Sequence, residues 1–354
     1  MNVVIAAGGT AGHINPGIAI AQEIKKNNPD INVIFVGTSY GLEKELVTKA
    51  GFEIRLIHSR GLSKNVVKLA KSVVLNAVGI VDTYKLLKEL KPTVCIGMGG
   101  YVCGPVLYTA KKILKIPVFI HESNAIAGKT NKFIGKFADG VAVGFEVAKK
   151  DFQNENIVVT GNPVRKEFEN IKRNISNDRK KVLIFGGSQG AKNINEAVIE
   201  MISKSNGKLP FDLTYATGKK HYEEIEAALK NVKLDKGINV VPYIDDMANV
   251  MANSDLVVSR SGAITVSELC FIGMPAVLIP LSTAAENHQE FNAKVMADKG
   301  FATIITDNEC TSVKLKNEIE KMLERNNFDV EKNIKQLMNR NATQNFYNMI
   351  KKYF

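Results

Sequence analysis

No apolar run in this sequence reaches the roughly 18 residues that a membrane-crossing helix needs, so no transmembrane segment is expected. The N-terminus, MNVVIAAGG, lacks a basic leader and meets a glycine loop at once, so it reads as a first strand and not a signal peptide. Cysteine is scarce. Cys95, Cys103, Cys270 and Cys310 show no paired ligand spacing, and three of them lie in apolar or glycine-rich surroundings, as core thiols of a reducing compartment would. No Gly-x-x-x-x-Gly-Lys-Ser/Thr loop is present, which disfavours an ordinary nucleoside triphosphatase. There is no Asp-x-Asp motif and no His/Cys/Asp cluster with metal spacing, so neither a metal site nor a cofactor is expected. The first glycine loop departs from Gly-x-Gly-x-x-Gly, and no acid follows where an adenosine ribose would need one, which leaves a dinucleotide dehydrogenase a weak reading.

What is present is ordinary for a globular protein: 45% hydrophobic and 23% charged residues. At 354 residues the chain is too long for one compact core, so two domains are expected. A net charge of +11 favours a polyanionic partner, whether nucleic acid, acidic membrane or phosphorylated substrate.

The stretch Asp255–Asn292 organises the rest. Leu256–Val258 reads as a buried strand, and Ser259-Arg260-Ser261-Gly262-Ala263 is a small-residue loop that lets backbone N–H groups approach an anion. Ile264–Phe271 has helical spacing, Gly273-Met274-Pro275 stops it, and Ala276–Pro280 is a second buried run before the polar set Glu286–Gln289. On that helix, Glu268 is placed to accept hydrogen bonds from ribose hydroxyls, although a Glu on a solvated helix face would look the same.

The same layout recurs. Val3–Ala7, the loop Gly8–His13 and a helix beginning near Pro16 match Lys181–Phe185, the loop Gly186–Ala191 and a helix over Ile194–Ile202. Likewise Thr93–Gly97 with Met98–Pro105 matches the strand and loop at Leu256–Ala263. Further strands are expected at Ile31–Val36, Phe52–Ile57, Ile116–Ile120, Asp139–Val143 and Ile157–Thr160, with a short helix over Gly41–Ala50. Glu167–Arg179 reads as a polar linker and the tail after Val313 as helical. Four glycine loops in two pairs predict two facing Rossmann-like, doubly wound α/β domains with a ligand cleft between them. The expected boundaries are 1–165, 166–338 and a C-terminal helix, 339–354, packing back on the first domain.

Such a cleft would gather Ser188, Arg165, the loop around Gly262 and the polar set Asn287–Gln289, groups suited to a diphosphate or a sugar. With no metal expected, leaving-group charge would fall to backbone N–H groups, a helix N-terminus and Arg. His13, at the tip of the first loop, is the natural general-base candidate, though a lone His is also often a hydrogen-bonded structural residue. His121 at a strand end reads as structural.

Taken together in order, GGTAGH(x)NP at Gly8–Pro16, GMGGYVCGP at Gly97–Pro105, HESNA at His121–Ala125, GNPVR at Gly161–Arg165, GGSQGA at Gly186–Ala191, YIDDM at Tyr243–Met247, SRSGAITVSE at Ser259–Glu268 and ENHQ carry a resemblance. Over nearly the whole chain the sequence resembles the MurG family of UDP-N-acetylglucosamine:N-acetylmuramyl-(pentapeptide) pyrophosphoryl-undecaprenol N-acetylglucosamine transferases. The resemblance implies a GT-B fold and an inverting, metal-independent transfer of GlcNAc from UDP-GlcNAc to the muramyl C4 hydroxyl of undecaprenyl-linked lipid I, giving lipid II. It implies donor contacts from Thr10, Ala11, Gly12 and Asn124, with Arg165 and Ser188 near the diphosphate. Ile244 would meet uracil through its backbone. Ala263, Ile264, Thr265, Val266 and Ser267 would cradle phosphate, Glu268 would hold ribose and Gln289 the sugar hydroxyls. The acceptor would lie on Gly9, His13, Gly99, Gly100, Tyr101 and Gly104. Three loop positions depart from the commonest pattern: Ala11 where Gly is frequent, Cys103 where Ser is, and Ser123 where Gln is.

The segment Arg60–Lys115 is rich in lysine, with only Asp82 and Glu89 against it, and Val66, Val67, Leu69, Val73 and Val74 are interleaved. A core-facing helix with a wet lysine side would look like this. So would a peripheral membrane patch, Val67, Lys68, Lys71, Val74, Lys111, Lys112 and Lys115, worth ~1 kcal/mol per lysine near an anionic surface. A polyprenyl-linked acceptor favours the patch, at the cytoplasmic face of the inner membrane, with other cell-wall synthesis proteins as possible partners. Nucleic acid is not expected, because aromatic interleaving is sparse. Competing readings are a UDP-GlcNAc 2-epimerase or glycolipid glucosyltransferase on the same fold, and a non-catalytic nucleotide-sugar-binding subunit that would keep the donor loops but need no His13.

Overall fold

The computed structural model describes residues 1–61, 66–169, 171–175, 179–187, 190–325 and 330–354, with side chains at all of these except 66–71, 73 and 330. The chain divides into two compact units, Met1–Pro163 with Asn339–Phe354, and Val164–Met338.

In the first unit the strands are β1 (Asn2–Ala6), β2 (Asn32–Gly37), β3 (Glu53–Leu56), β4 (Val94–Gly97), β5 (Val118–Glu122), β6 (Gly140–Val143) and β7 (Ile157–Val159). The helices are α1 (Ala11–Asn27), α2 (Glu43–Lys49), α3 (Val66–Leu90), α4 (Cys103–Tyr108), which runs on as a π turn over Thr109–Ile113, and α5 (Lys129–Gly135). The sheet is parallel throughout, in the order β3-β2-β1-β4-β5-β6-β7. Parallel strands covered by helices on both faces must be apolar at successive positions, and β1 is: Val3, Val4, Ile5 and Ala6 are all fully buried. The strand order reverses between β1 and β4, the topological switch point where this class of sheet leaves a crevice. Their registered pairing, Val3 with Val94 through Ala6 with Gly97, sets the loops Gly8–Thr10 and Met98–Val102 side by side.

The second unit repeats the plan with β8 (Lys181–Phe185), α6 (Lys192–Lys204), β9 (Asp212–Ala216), α7 (Tyr222–Leu229), β10 (Ile238–Val241), α8 (Met247–Ala252), β11 (Leu256–Ser259), α9 (Ala263–Ile272), β12 (Ala276–Leu278), α10 (His288–Ala297), β13 (Ala302–Ile304), α11 (Ser312–Glu324) and α12 (Val330–Lys335). Its parallel order is β10-β9-β8-β11-β12-β13, so the switch point lies between β8 and β11.

The first unit is completed by α13 (Ala342–Ile350), which packs on α1. Phe346 and Ile350 are fully buried in one cluster with Val3, Ile5 and Ile20, and Asn345 donates to the Thr160 carbonyl.

Two local expectations change. The first helix begins at Ala11, not near Pro16, because Thr10 is extended (φ −127°) and the small residues Ala11 and Gly12 do not resist helical backbone. Pro16 sits inside the helix, where it removes only the N–H that would have met the Gly12 carbonyl. Nor is Glu167–Arg179 a loose connection where it is described: Phe168 is fully buried and Arg173 donates to the Gly273 carbonyl at 2.9 Å.

Candidate functional site

In the first unit the glycine loops interlock. Gly9 (φ +90°) and Gly100 (φ +86°) adopt backbone that disfavours side chains, and a Cβ on Gly100 would lie 2.4 Å from the Gly8 carbonyl oxygen. The Cys103 Sγ bridges the loops, directed at the Ala6 oxygen (3.2 Å) and the Gly99 oxygen (3.1 Å). A serine hydroxyl would serve equally. Burial pushes this thiol up to about 12, so it acts as a donor and not as a nucleophile.

His13 lies in the first turn of α1, half-buried, with Nδ1 2.9 Å from the Gly8 carbonyl oxygen. A carbonyl only accepts, so the neutral ring carries its proton on Nδ1 and presents Nε2 as the acceptor. A Cβ on Gly99 would stand 3.1 Å from Nε2, which is why the second loop needs glycine there. The Tyr101 hydroxyl meets Thr38 Oγ1 at 3.1 Å, while Gly104 has open space where a Cβ would be. Thr10, Ala11 and Gly12 surround the start of α1, with Gly12 exposed. Asn124 is held by Glu122, whose Oε1 accepts from the Asn124 backbone N–H and side-chain amide, both at 2.9 Å. The other carboxylate oxygen accepts from Gly128 and Asn131. His121 is buried with Nε2 on the Gly161 carbonyl, and burial lowers its pKa from the ordinary value, which keeps it neutral and structural.

In the second unit α9 is buried almost along its length and follows Gly262, which offers no side-chain cap, so its first N–H groups are left for another acceptor. It ends as expected: Gly273 is left-handed (φ +77°), and the Met274 and Gly273 N–H groups both return to the Leu269 carbonyl. Ser267 turns its hydroxyl onto the Ala263 carbonyl (2.8 Å) and is fully buried, as is Val266. Glu268, 4% exposed, is clasped by Arg165 through Nε–Oε1 (2.6 Å) and Nη2–Oε2 (3.1 Å). Arg165 lies over the buried Phe168 ring, 5.1 Å from its centre. Burial pushes the Glu268 carboxyl upward from the ordinary Glu value, and the Arg165 hydrogen bonds and charge pull against it.

Gln289 accepts from the Leu281 N–H through Oε1 (3.0 Å), so its amide nitrogen is the group it can offer a ligand. Ile244 is buried beside exposed Tyr243, which carries Lys219 over its ring. Ser188 lies outside the described residues. Among the described residues no group of three His, Cys, Asp or Glu side chains could hold a metal ion.

Of the lysine patch, the side chains of Val67, Lys68 and Lys71 lie outside the described residues. Val74 is 63% exposed. Lys111 pairs with Asp139 at 2.6 Å, Lys112 stands 4.7 Å over the Phe137 ring and Lys115 donates to the Lys112 carbonyl. Sequence reasoning missed Glu43, which bonds Gly9, and Asp307, which binds Arg260 at 2.7 Å and accepts from Ser282. Each has a second acid two residues on, Glu45 and Glu309, and no sequence signal marks the one that is buried.

Residues 3–143 match the glycosyltransferase family 28 N-terminal domain, and residues 181–353 match the family 28 C-terminal domain. The chain is 44% identical, over 99% of its length and 98% of the relative's, to the UDP-N-acetylglucosamine–N-acetylmuramyl-(pentapeptide) pyrophosphoryl-undecaprenol N-acetylglucosamine transferase of Acetivibrio thermocellus. The crystal structure of Acinetobacter baumannii MurG is similar with a TM-score of 0.81 and 29% identity, over 99% of this chain and 100% of that one. The glycotransferase of kitacinnamycin, at 13% identity and TM-score 0.76 over 99% and 98%, shares the fold alone. The chain therefore belongs to glycosyltransferase family 28: it is a glycosyltransferase with two Rossmann-like α/β domains of the GT-B class.

Proposed function

We propose that this protein transfers GlcNAc from UDP-GlcNAc to the C4 hydroxyl of the MurNAc in lipid I, with inversion at the anomeric carbon, giving lipid II. One observation carries the reading: the near-full-length likeness to a protein named for that transfer. The local geometry supports it. His13 is oriented by its Nδ1 contact with the Gly8 carbonyl, which leaves Nε2 as the acceptor of the neutral ring, and Gly104 has open space beside it where a side chain would stand. In this reaction Nε2 takes the hydroxyl proton, the hydroxyl oxygen bonds the anomeric carbon, and UDP leaves with the electron pair of the broken C–O bond. The negative charge on the leaving diphosphate is met by the N–H groups that open α9 and by Arg165, with Ser188 assigned beside them. Glu268 holds the ribose, the Ile244 backbone the uracil, and Gln289, Asn124 and the Thr10–Gly12 turn the sugar. In this reading residues 1–165 take the acceptor, 166–338 the donor, and 339–354 dock on the first domain.

The first unit meets an anionic membrane surface in the same proposal, at the cytoplasmic face, where the polyprenyl acceptor resides. No helix among the described residues is long and apolar enough to cross a membrane. Val74, Val78, Val81 and Tyr84 form an exposed stripe on α3, and Tyr108 of α4, Phe133 of α5 and Phe137 just after α5 cluster with Lys112 beside them. Changing Lys68, Lys71, Lys112 and Lys115 to Glu should abolish binding to phosphatidylglycerol vesicles; unchanged binding would refute the patch. The transfer itself is tested with radiolabelled UDP-GlcNAc, a short-chain lipid I analogue and excess EDTA. Lipid II should form in the wild type and fall sharply in Glu268→Ala. Donor binding without transfer would favour the non-catalytic or epimerase readings, and loss with EDTA would refute metal independence.

A further inference from the structure

Glu43 opens α2, 34 residues along the chain from the loop it touches. Its side chain is fully buried. Oε1 accepts from the Gly9 N–H at 3.0 Å and from the Thr38 hydroxyl at 3.3 Å, while Oε2 is buried with no hydrogen-bond partner among the described residues. Since the one Thr38 hydrogen goes to Glu43, the Tyr101 hydroxyl donates to Thr38. A buried carboxyl with one oxygen unused is a poor stabiliser, and an apolar side chain would fill the space at lower cost. Yet the surrounding backbone is cleared for it: a Cβ on Gly41 would lie 2.0 Å from Oε2, and one on Gly37 2.9 Å from the Glu43 Cβ.

We propose that Glu43 is a positioning residue for glycosyl transfer. By holding the Gly9 N–H inward it fixes the Gly8–Gly9 peptide, so that the Gly8 carbonyl stays on His13 Nδ1 and the ring keeps Nε2 as its acceptor. Through Thr38 it also fixes Tyr101 in the second glycine loop. One carboxyl group thus sets both loops of the acceptor half. This rests on the transfer reading given above.

The test compares Glu43→Ala, Glu43→Gln and Thr38→Val with the wild type in the lipid I assay, alongside UDP affinity and the 15N shifts of the His13 ring. Glu43→Ala should lower kcat by about tenfold or more, because sub-ångström misplacement of a base is costly, and should leave UDP affinity unchanged. Its His13 shifts should show mixed tautomers. Glu43→Gln, whose amide oxygen can accept the same two bonds, should stay within about threefold of wild type and keep the Nδ1–H tautomer. Thr38→Val should raise the acceptor KM with a smaller effect on kcat. Unchanged kcat and His13 shifts in Glu43→Ala would overturn the inference, as would an equal loss in Glu43→Gln. Should Glu43→Ala not fold, the other two variants decide: Thr38→Val with wild-type kcat and KM, or Glu43→Gln with mixed tautomers, overturns it. If the wild type transfers nothing, the transfer reading fails by itself, and the His13 tautomer in Glu43→Ala still reports whether Glu43 holds the loop.

Discussion

The helices that follow the two switch points, α1 and α9, start alike and are held differently. Each begins without a side-chain cap after a glycine loop. Around α1 the fixing groups bond the backbone at 2.9–3.0 Å: His13 to Gly8 and Glu43 to Gly9. Around α9 they are ion pairs, Arg165 with Glu268 and Arg260 with Asp307. A ring held on a backbone carbonyl has its tautomer and direction set by the main chain, which suits proton transfer. A site held by charge pairs offers cations that an anionic ligand can share. In the proposed transfer the first arrangement would govern rate and the second affinity.

Substitutions can break that division. His13→Ala should lower kcat by about 10²–10⁴-fold with UDP affinity unchanged, measured by lipid II formation and calorimetry. An equal loss of UDP affinity would erase the distinction. Phe346→Ala should destabilise the first unit by about 3–5 kcal/mol, read as faster hydrogen exchange of β1 amides with β8 and β11 amides unmoved. Glu268→Ala should weaken UDP binding by about 10²-fold, since two charge-assisted hydrogen bonds go and Arg165 is left unpaired; kcat at saturating donor should change less.

The smallest effect concerns Asp307. Burial alone would raise its carboxyl, but the Arg260 guanidinium and the Ser282 N–H and hydroxyl hold it below its ordinary value of 3.8. A depressed carboxyl contributes stability that is present above the unfolded value and lost as pH falls through the folded one. Asp307→Asn should therefore cost about 1–2 kcal/mol at neutral pH, with the gap to wild type closing below pH 3.8 in denaturant titrations. A gap that persists in acid would assign its role to packing.

Much of this was legible in the sequence because parallel strands and glycine loops leave strong local marks. Val3–Ala7, Lys181–Phe185 and Leu256–Val258 are continuous apolar runs, and Gly273-Met274-Pro275 stops α9 where it should. What escaped was decided by partners distant along the chain. The Lys111 ammonium looked solvated until the fold brought Asp139 to it, 28 residues on. Asp307 meets Arg260 across 47 residues. Pro16 misplaced a helix start because proline marks first turns on average, and here the small residues before it extend the helix backward. Phe168 was one aromatic in a polar stretch, and nothing beside it announced that it would be fully buried beneath Arg165.

The return of α13 to the first unit has a consequence for biosynthesis. Val3, Ile5 and Ile20 share their cluster with Phe346 and Ile350, and the whole of Val164–Met338 lies between them in the chain. A ribosome makes the first sheet and α1 early, but the part of the covering layer that α13 supplies is translated only after the second unit. The nascent first unit must wait with apolar surface uncovered, while the second unit, continuous in sequence, can fold as it emerges. Assembly thus runs against the order of synthesis: the unit begun first is finished last.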